Sequence, residues 1–415
     1  VASPRSSAHP QPSRRFALGL LGAASLAAGG ALTVPGAAQA AAGAAGPGRV
    51  PAGLRPGGTY DQYVKQLAGQ GKFSGTVLIA HRGKTVLTRS YGWADKEGGV
   101  RNEADTIYCL ASGSKPFTAL AIIQLAQAGK LRFTDTVGTL LKGYPQETAG
   151  HVTIHHLLTH SSGLQNLVGV EEGQLHNSVE EATAFWNEQR RKPKPQFTPG
   201  SQYSYSSLGM QILGEIVTTV SGQPFHEYVK EHIFDPAGMT DSAYYTRNDW
   251  TTNKQIAHPF LYQEDGSRID GIRHLDAVSQ WPGSPPNANG GRAFIGNGGG
   301  HGFSTAPDLV KFALALDGEK LAKRPYIDLF ITPKFPTQPA GSTSPAGLHG
   351  FMGYGIIAGI SRDERTLGHG GGIAGGNTNW TIYRDRDLMG IFLSNYELDT
   401  QAIIDQERKA VFGTA

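Results

Sequence analysis

One stretch of this chain could do chemistry on its own. Ser112-Gly113-Ser114-Lys115 is the only Ser-x-x-Lys in the sequence, and it directly precedes a helical pattern from Pro116 to Ala128. A serine hydroxyl is a poor nucleophile until a base takes its proton, and a lysine one turn away on the same helical face can take it. Ser112 would also sit where unpaired backbone N–H groups and the positive helix end favour a developing oxyanion. The chemistry implied is attack on a carbonyl carbon with a covalent acyl intermediate. The same four residues also suit a plain helix cap followed by a solvated lysine. The surrounding sequence must decide between the two.

Around that stretch the chain reads as a sheet begun near one end and finished near the other. A helical pattern covers Tyr60 to Gln70. The β-rich runs Gly75–Ala80 and Lys84–Thr88 then flank Arg82-Gly83 as a hairpin. The middle third is mostly helical, in His155–Leu158, Glu180–Gln189, Ser207–Ser221 and Phe225–Ile233, with Pro and Gly breaks between. Strand patterns return in Gly355–Ile360, Asn379–Tyr383 and Gly390–Ser394, before a last helix from Gln401 to Phe412. The expected fold is α/β: an antiparallel sheet flanked by helices, with an inserted all-α subdomain. The α/β part spans about 58–110 and 300–415 and the mostly helical part about 111–299, with a cleft at their seam.

Composition narrows the function classes. The 415 residues carry a formal net charge of +3 and no Lys/Arg run that would form a basic face, which argues against a nucleic-acid partner. The single cysteine, Cys109, excludes an internal disulfide and a cysteine zinc site; a small packing role suits it. At the N-terminus, Arg14-Arg15 precede an apolar Ala/Gly/Leu stretch and then Ala38-Gln39-Ala40. That order predicts a signal peptide over 1–40 of twin-arginine type, a flexible linker over 41–57, and a hydrolase domain over 58–415. The expected location is secreted, with no stable membrane span after signal cleavage, since no later stretch approaches the roughly 20 apolar residues a span needs.

The wider text around Ser112 carries a family likeness. Leu110-Ala-Ser112-Gly-Ser-Lys115-Pro-Phe-Thr-Ala119 resembles the nucleophile segment of the class C β-lactamase-like serine hydrolases, which include penicillin-binding DD-peptidases, D-aminopeptidases and esterases. Val152-Thr-Ile-His-His156-Leu-Leu-Thr-His160-Ser-Ser-Gly163-Leu164 is similar to a structural segment of that family. Phe197-Thr-Pro-Gly200-Ser-Gln-Tyr203-Ser-Tyr205-Ser-Ser207 is similar to its Tyr-x-Asn motif, and Leu367-Gly-His369-Gly-Gly371-Gly372 to its third motif. The resemblance implies Ser112 as nucleophile, with Lys115 and Tyr205 as proton handlers. It implies an oxyanion hole from the N–H groups of Ser112 and Gly372, and substrate contacts from Ser207, His369, Gly370 and Gly371. The implied activity is hydrolysis of ester, amide or D-residue peptide bonds in a small-molecule or peptide substrate. The alternatives are a transacylase using the same acyl-enzyme, or a penicillin-binding or β-lactamase protein. No cofactor or metal is implied, and the oligomeric state is left open.

Two departures bear on substrate. Ser207 stands where Asn is usual, and His-Gly-Gly replaces the Lys-Thr-Gly of β-lactamases. A mostly neutral imidazole and a bare backbone replace a permanent cation and a hydroxyl there, so β-lactam turnover should be poor. Other readings of these residues are thinner. His369-Gly-Gly-Gly372 also resembles a lipase-type oxyanion loop, but no Gly-x-Ser-x-Gly elbow accompanies it. His156 and His160 have metal-ligand spacing without the glutamate of a zinc protease. The glycines from Gly298 to Gly302 lack the strand–loop–helix frame of a dinucleotide site. His301 reads as a loop residue near the cleft rim, and Tyr203 competes with Tyr205.

Overall fold

Alternation along one strand sets the two-sided burial of the whole sheet. In β1 (Gly75–His81), Val77 and Ile79 enter one apolar cluster while Leu78 and Ala80 enter another, as a side-chain period of two requires. The turn to β2 (Lys84–Tyr91) runs through Arg82 and Gly83, with φ of 51° and 73°, the left-handed pair that a two-residue hairpin turn takes. The computed structural model describes residues 49–166, 174–338 and 348–413. The targeting segment over 1–40 lies outside them.

The other strands come late in the chain: β3 (Phe335–Pro336), β4 (Leu348–Met352), β5 (Ile357–Ser361), β6 (Glu364–Ile373), β7 (Gly376–Tyr383) and β8 (Leu388–Ser394). All pair antiparallel, in the order β2-β1-β8-β7-β6-β5-β4-β3. The register Gly75↔Ser394 to His81↔Leu388 places the first and last strands side by side at the centre of the core. That is why both read as nearly continuous apolar runs.

Six helices matter for the site: α1 (Thr59–Gly69), α2 (Lys115–Gln127), α3 (Val179–Gln189), α4 (Ser207–Ser221), α5 (Ala306–Asp317) and α6 (Thr400–Phe412). Tyr60 and Val64 of α1 and Ile403 and Val411 of α6 cover one sheet face. Phe117 of α2, Ile212 of α4 and Phe312 of α5 share a cluster with Leu78, Trp380 and Ile391 on the other. Phe117 sits edge-to-face with both Phe234 and Phe312, each at 5.0 Å, a geometry that adds about 1 kcal/mol per pair to burial.

The structure revises the expected boundaries in three places. Residues 52–54, expected as linker, form a 3₁₀ turn with Leu54 buried in the cluster of α1 and α6, because an apolar residue this close to the sheet is better packed than solvated. The stretch from 253 to 300 is not helical. Its dense Pro and Gly leave loops, a 3₁₀ turn and one short hairpin, Phe260–Tyr262 with Arg268–Asp270. The third motif, given no element from sequence, lies on β6. Among the described residues, no helix is long and apolar enough to cross a membrane.

Candidate active site

Ser112 lies in a 3₁₀ turn, Ala111–Ser114, that runs straight into α2, so the serine precedes the helix. The turn is held from three sides. Thr378 Oγ1 donates to Leu110 O at 3.0 Å and Trp380 Nε1 to Gly113 O at 3.1 Å, two side chains on one face of β7. Ser114 Oγ donates to Ala111 O at 2.8 Å and accepts from Gly302 N at 3.1 Å. His301 N also donates to Ala111 O. Ala111 has φ of 47°, a left-handed backbone that a non-glycine residue keeps only when its surroundings impose it. These contacts supply that constraint.

Lys115 is fully buried, and its Nζ donates to Ser112 Oγ at 2.7 Å and to Gly299 O. Tyr205 arrives from the segment before α4, with its ring centroid 5.0 Å from Lys115 Nζ. His160 holds that segment. Its ring stacks on Tyr205 at 4.5 Å, its carbonyl accepts from Ser204 N at 2.9 Å, and its Nδ1 accepts from Ser206 N at 3.0 Å. Asn166 completes the clamp: Nδ2 donates to Tyr205 O at 3.3 Å and Oδ1 accepts from Ser207 N. Sequence reasoning missed Asn166, since no local pattern links it to a tyrosine 39 positions later.

The third motif supplies a wall with an open edge. Pairing between β5 and β6 ends at Ile357↔Gly368, while β6 continues to Ile373 against β7. From His369 to Ile373 one side of β6 therefore has no strand beside it among the described residues, a place where an extended substrate can add its own hydrogen bonds. Gly371 faces the Ser112 turn: a Cβ there would come within 2.1 Å of Leu110 O and 2.8 Å of Ser112 N. Only glycine allows this approach. A cavity of about 320 Å³ opens here, lined by Ser112, Tyr205, Gly370–Gly372, Asn377–Asn379 and, from α6, Thr400 and Ile404.

The predicted residues thus divide. Ser112, Tyr205, Gly370, Gly371 and Gly372 line the cavity, and Lys115 lies beneath Ser112. Ser207 and His369 are not part of that lining. Ser207 is the first residue of α4, with its N–H turned to Asn166. His369, expected to face the substrate's polar end, is 3% exposed, with Nδ1 at 2.6 Å from Gly370 O and its ring beside Tyr205. Burial, then the positive charge of Lys115, pushes its imidazole down to about 3. His301, expected at the cleft rim, is likewise pushed down by burial and Lys115, to about 4, and His160 well below its ordinary range. Lys115 is therefore ringed by neutral imidazoles.

Neither metal reading gathers support. His156 Nδ1 accepts from Thr153 N in a helix cap, whereas His160 serves the Tyr205 segment. Asp95, His258 and Asp270 have ligand atoms within 4.8 Å of one another, but Arg273 bridges both carboxylates and His258 Nδ1 bonds Asp270 Oδ2 at 2.7 Å. That cluster satisfies its own charges. Cys109 is buried among Ile107, Trp250 and Phe303.

Comparison with known proteins places this geometry. The family model described as Beta-lactamase matches residues 60–412. A penicillin-binding protein of Bacillus subtilis strain 168 is 28% identical over 367 residues, covering 82% of this chain and 73% of that protein. Esterase EstB of Burkholderia gladioli is 33% identical over 180 residues, which cover 40% of this chain and 46% of the esterase. The crystal structure of a penicillin-binding protein from Bacillus halodurans superposes with a TM-score of 0.67 at 26% identity, over 83% of this chain and 97% of that one.

Proposed function

Because the chain belongs to the β-lactamase family of serine hydrolases, we propose that it hydrolyses ester, amide or D-residue peptide bonds through an acyl-enzyme on Ser112. The observation that carries this reading is the 2.7 Å hydrogen bond between Lys115 Nζ and Ser112 Oγ beneath a cavity walled by Tyr205 and three glycines. Ser112 Oγ bonds to the carbonyl carbon and the carbonyl electron pair moves to oxygen, where the N–H groups of Ser112 and Gly372 receive it. The Lys115–Tyr205 pair, one proton short of fully protonated before attack, takes up the hydroxyl proton, and Tyr205 gives a proton to the leaving group as its bond to carbon breaks. Water then attacks the acyl carbon by the reverse proton path, and Ser112 is released.

The neutral state of His369 supports the departure from β-lactam chemistry. With that imidazole pushed down to about 3, the third motif offers no cation to a substrate carboxylate. The test is a panel of p-nitrophenyl esters, D-amino acid anilides, D-Ala-D-Ala peptides and nitrocefin, run beside Ser112→Ala. Turnover of an ester, anilide or peptide that disappears in the variant supports the reading. Efficient nitrocefin turnover with none of the others contradicts it. We also propose export, on the Arg14-Arg15 segment and the apolar stretch after it. N-terminal sequencing of protein recovered from culture medium tests that, and a product retained in the cytoplasm rejects it.

A further inference from the structure

We propose that the Ser112 cavity selects substrates uncharged around the scissile bond, and that Asn377 is the residue that reads their neutral polar group. This rests on the acyl-enzyme reading above and assigns it a substrate class.

The cavity's lining carries the argument. Among the described residues, every side chain that lines it apart from the Tyr205 phenol is a hydroxyl, an amide, an aliphatic group or absent. Lys115 lies beneath the floor, fully buried, with Nζ committed to Ser112 Oγ and Gly299 O. His369 turns its Nδ1 onto Gly370 O. The carboxylate nearest in sequence to Thr400, that of Asp399, accepts from Ala402 N as the cap of α6. A charged substrate group entering here loses hydration without gaining a counter-ion, and an unpaired buried charge costs several kcal/mol.

The strand geometry shows what replaces charge recognition. Positions 370 and 372 of β6 face the same side as their cross-strand partners Asn379 and Asn377. With glycine at both positions, the two amides occupy the space that side chains would fill. A Cβ at Gly372 would come within 2.8 Å of Asn377 Nδ2, and one at Gly370 within 3.2 Å of Asn379 Oδ1. The Asn377 amide has a defined orientation, because its Oδ1 accepts from Leu398 N at 2.9 Å. Its Nδ2 is thereby held over the exposed Gly372 as a donor, on the α6 face of β6 and opposite the face that Gly371 turns to Ser112, where it meets the part of a substrate that reaches past the open edge of β6 within the same cavity. A neutral acceptor, such as a carboxamide, ester or ether oxygen, pairs with it. An ammonium meets a donor and is repelled, and a carboxylate finds one neutral donor where it needs a cation.

The test uses phenyl acetates bearing a para carboxamide, carboxylate or trimethylammonium group, each rate normalised to hydroxide-catalysed hydrolysis. For the unaltered protein we expect normalised kcat/KM for the carboxamide to exceed both charged esters by about tenfold or more. Asn377→Asp keeps an acceptor for Leu398 N and replaces the donor with an anion. It should raise the trimethylammonium ester about tenfold relative to the carboxamide and lower the carboxylate further. Charged esters within about threefold of the neutral one would overturn the proposal, as would an Asn377→Asp variant with unchanged ratios. A fluorophosphonate label on Ser112 separates the two levels of failure. Labelled protein with flat ratios rejects only the neutral-substrate inference, whereas unlabelled protein rejects the acyl-enzyme itself. Should Asn377→Asp not fold, the three-ester ratio of the unaltered protein still decides.

Discussion

Lys115 and Glu407 are both buried ionisable residues, 0% and 1% exposed, on opposite faces of one sheet. Lys115 lies on the α2 side, and its ammonium reaches the hydroxyl of Ser112, which opens on a cavity. Glu407 projects from α6 onto the other face, where Tyr383 Oη donates to it at 2.7 Å. Burial pushes its carboxyl up to about 7, with the Tyr383 hydrogen bond opposing. Gly390 lies directly against it, since a Cβ there would come within 2.2 Å of Glu407 Oε1. Both groups give up hydration, but of the two only Lys115 adjoins a hydroxyl that opens on a cavity. Burial of a charge therefore does not mark a catalytic group without such access.

Substitutions on the two faces should separate activity from stability. The largest effect is expected for Ser112→Ala, a loss of about a thousandfold or more in kcat/KM with little change in melting temperature. Lys115→Met should cost about as much activity and also about 1–3 kcal/mol of stability, because Gly299 O loses its buried donor. Paired denaturation and kinetic curves check this, and a Lys115→Met enzyme with normal kcat would break the comparison from the catalytic side.

Glu407→Gln should reverse the pattern, leaving kcat/KM unchanged. A folded-state carboxyl raised to about 7 contributes stability that is fully present below about pH 4.5 and is lost as pH rises through about 7. Buried neutral His160, His301 and His369 strengthen both proteins as pH rises toward 6.5, so the reading is the difference: urea melts should show the natural protein losing on the order of 3 kcal/mol relative to the glutamine variant across that window. Parallel curves for the two would place the effect elsewhere. The smallest effect concerns His369. With its imidazole pushed down to about 3, it stays neutral across pH 5–8, so His369→Gln should leave the shape of the rate profile there unaltered. An acid limb near pH 6.5 that vanishes in the variant would contradict this.

The parts of the site legible in the sequence are those written into short segments. Ser-x-x-Lys is local, and the helix Ser207–Ser221 was readable to the residue because its apolar spacing and the glycine after it agree. The contacts that orient the trio were not legible, because they join distant segments through single bonds. Asn166 meets Tyr205 and Ser207 only once the chain folds back. Asn377 and Asn379 carry a strand alternation, but their relevance depends on Gly370 and Gly372 lying opposite across the hairpin. His369 shows the limit of motif transfer: its place in the third motif is as expected, yet a ring 3% exposed beside Lys115 cannot act as the cation it replaces. The loops at 253–300 were misread as part of a helical region because neighbouring helices dominated the pattern.

The central claim is that Lys115 makes Ser112 a nucleophile at an accessible cavity. Intact-mass analysis after treatment with a small neutral fluorophosphonate tests it most directly, with peptide mapping of the adduct. We predict one adduct per chain, on Ser112, absent in Ser112→Ala and slowed by at least about a hundredfold in Lys115→Met. An unshifted mass for the natural protein, or equal labelling of the Ser112→Ala variant, would contradict the account.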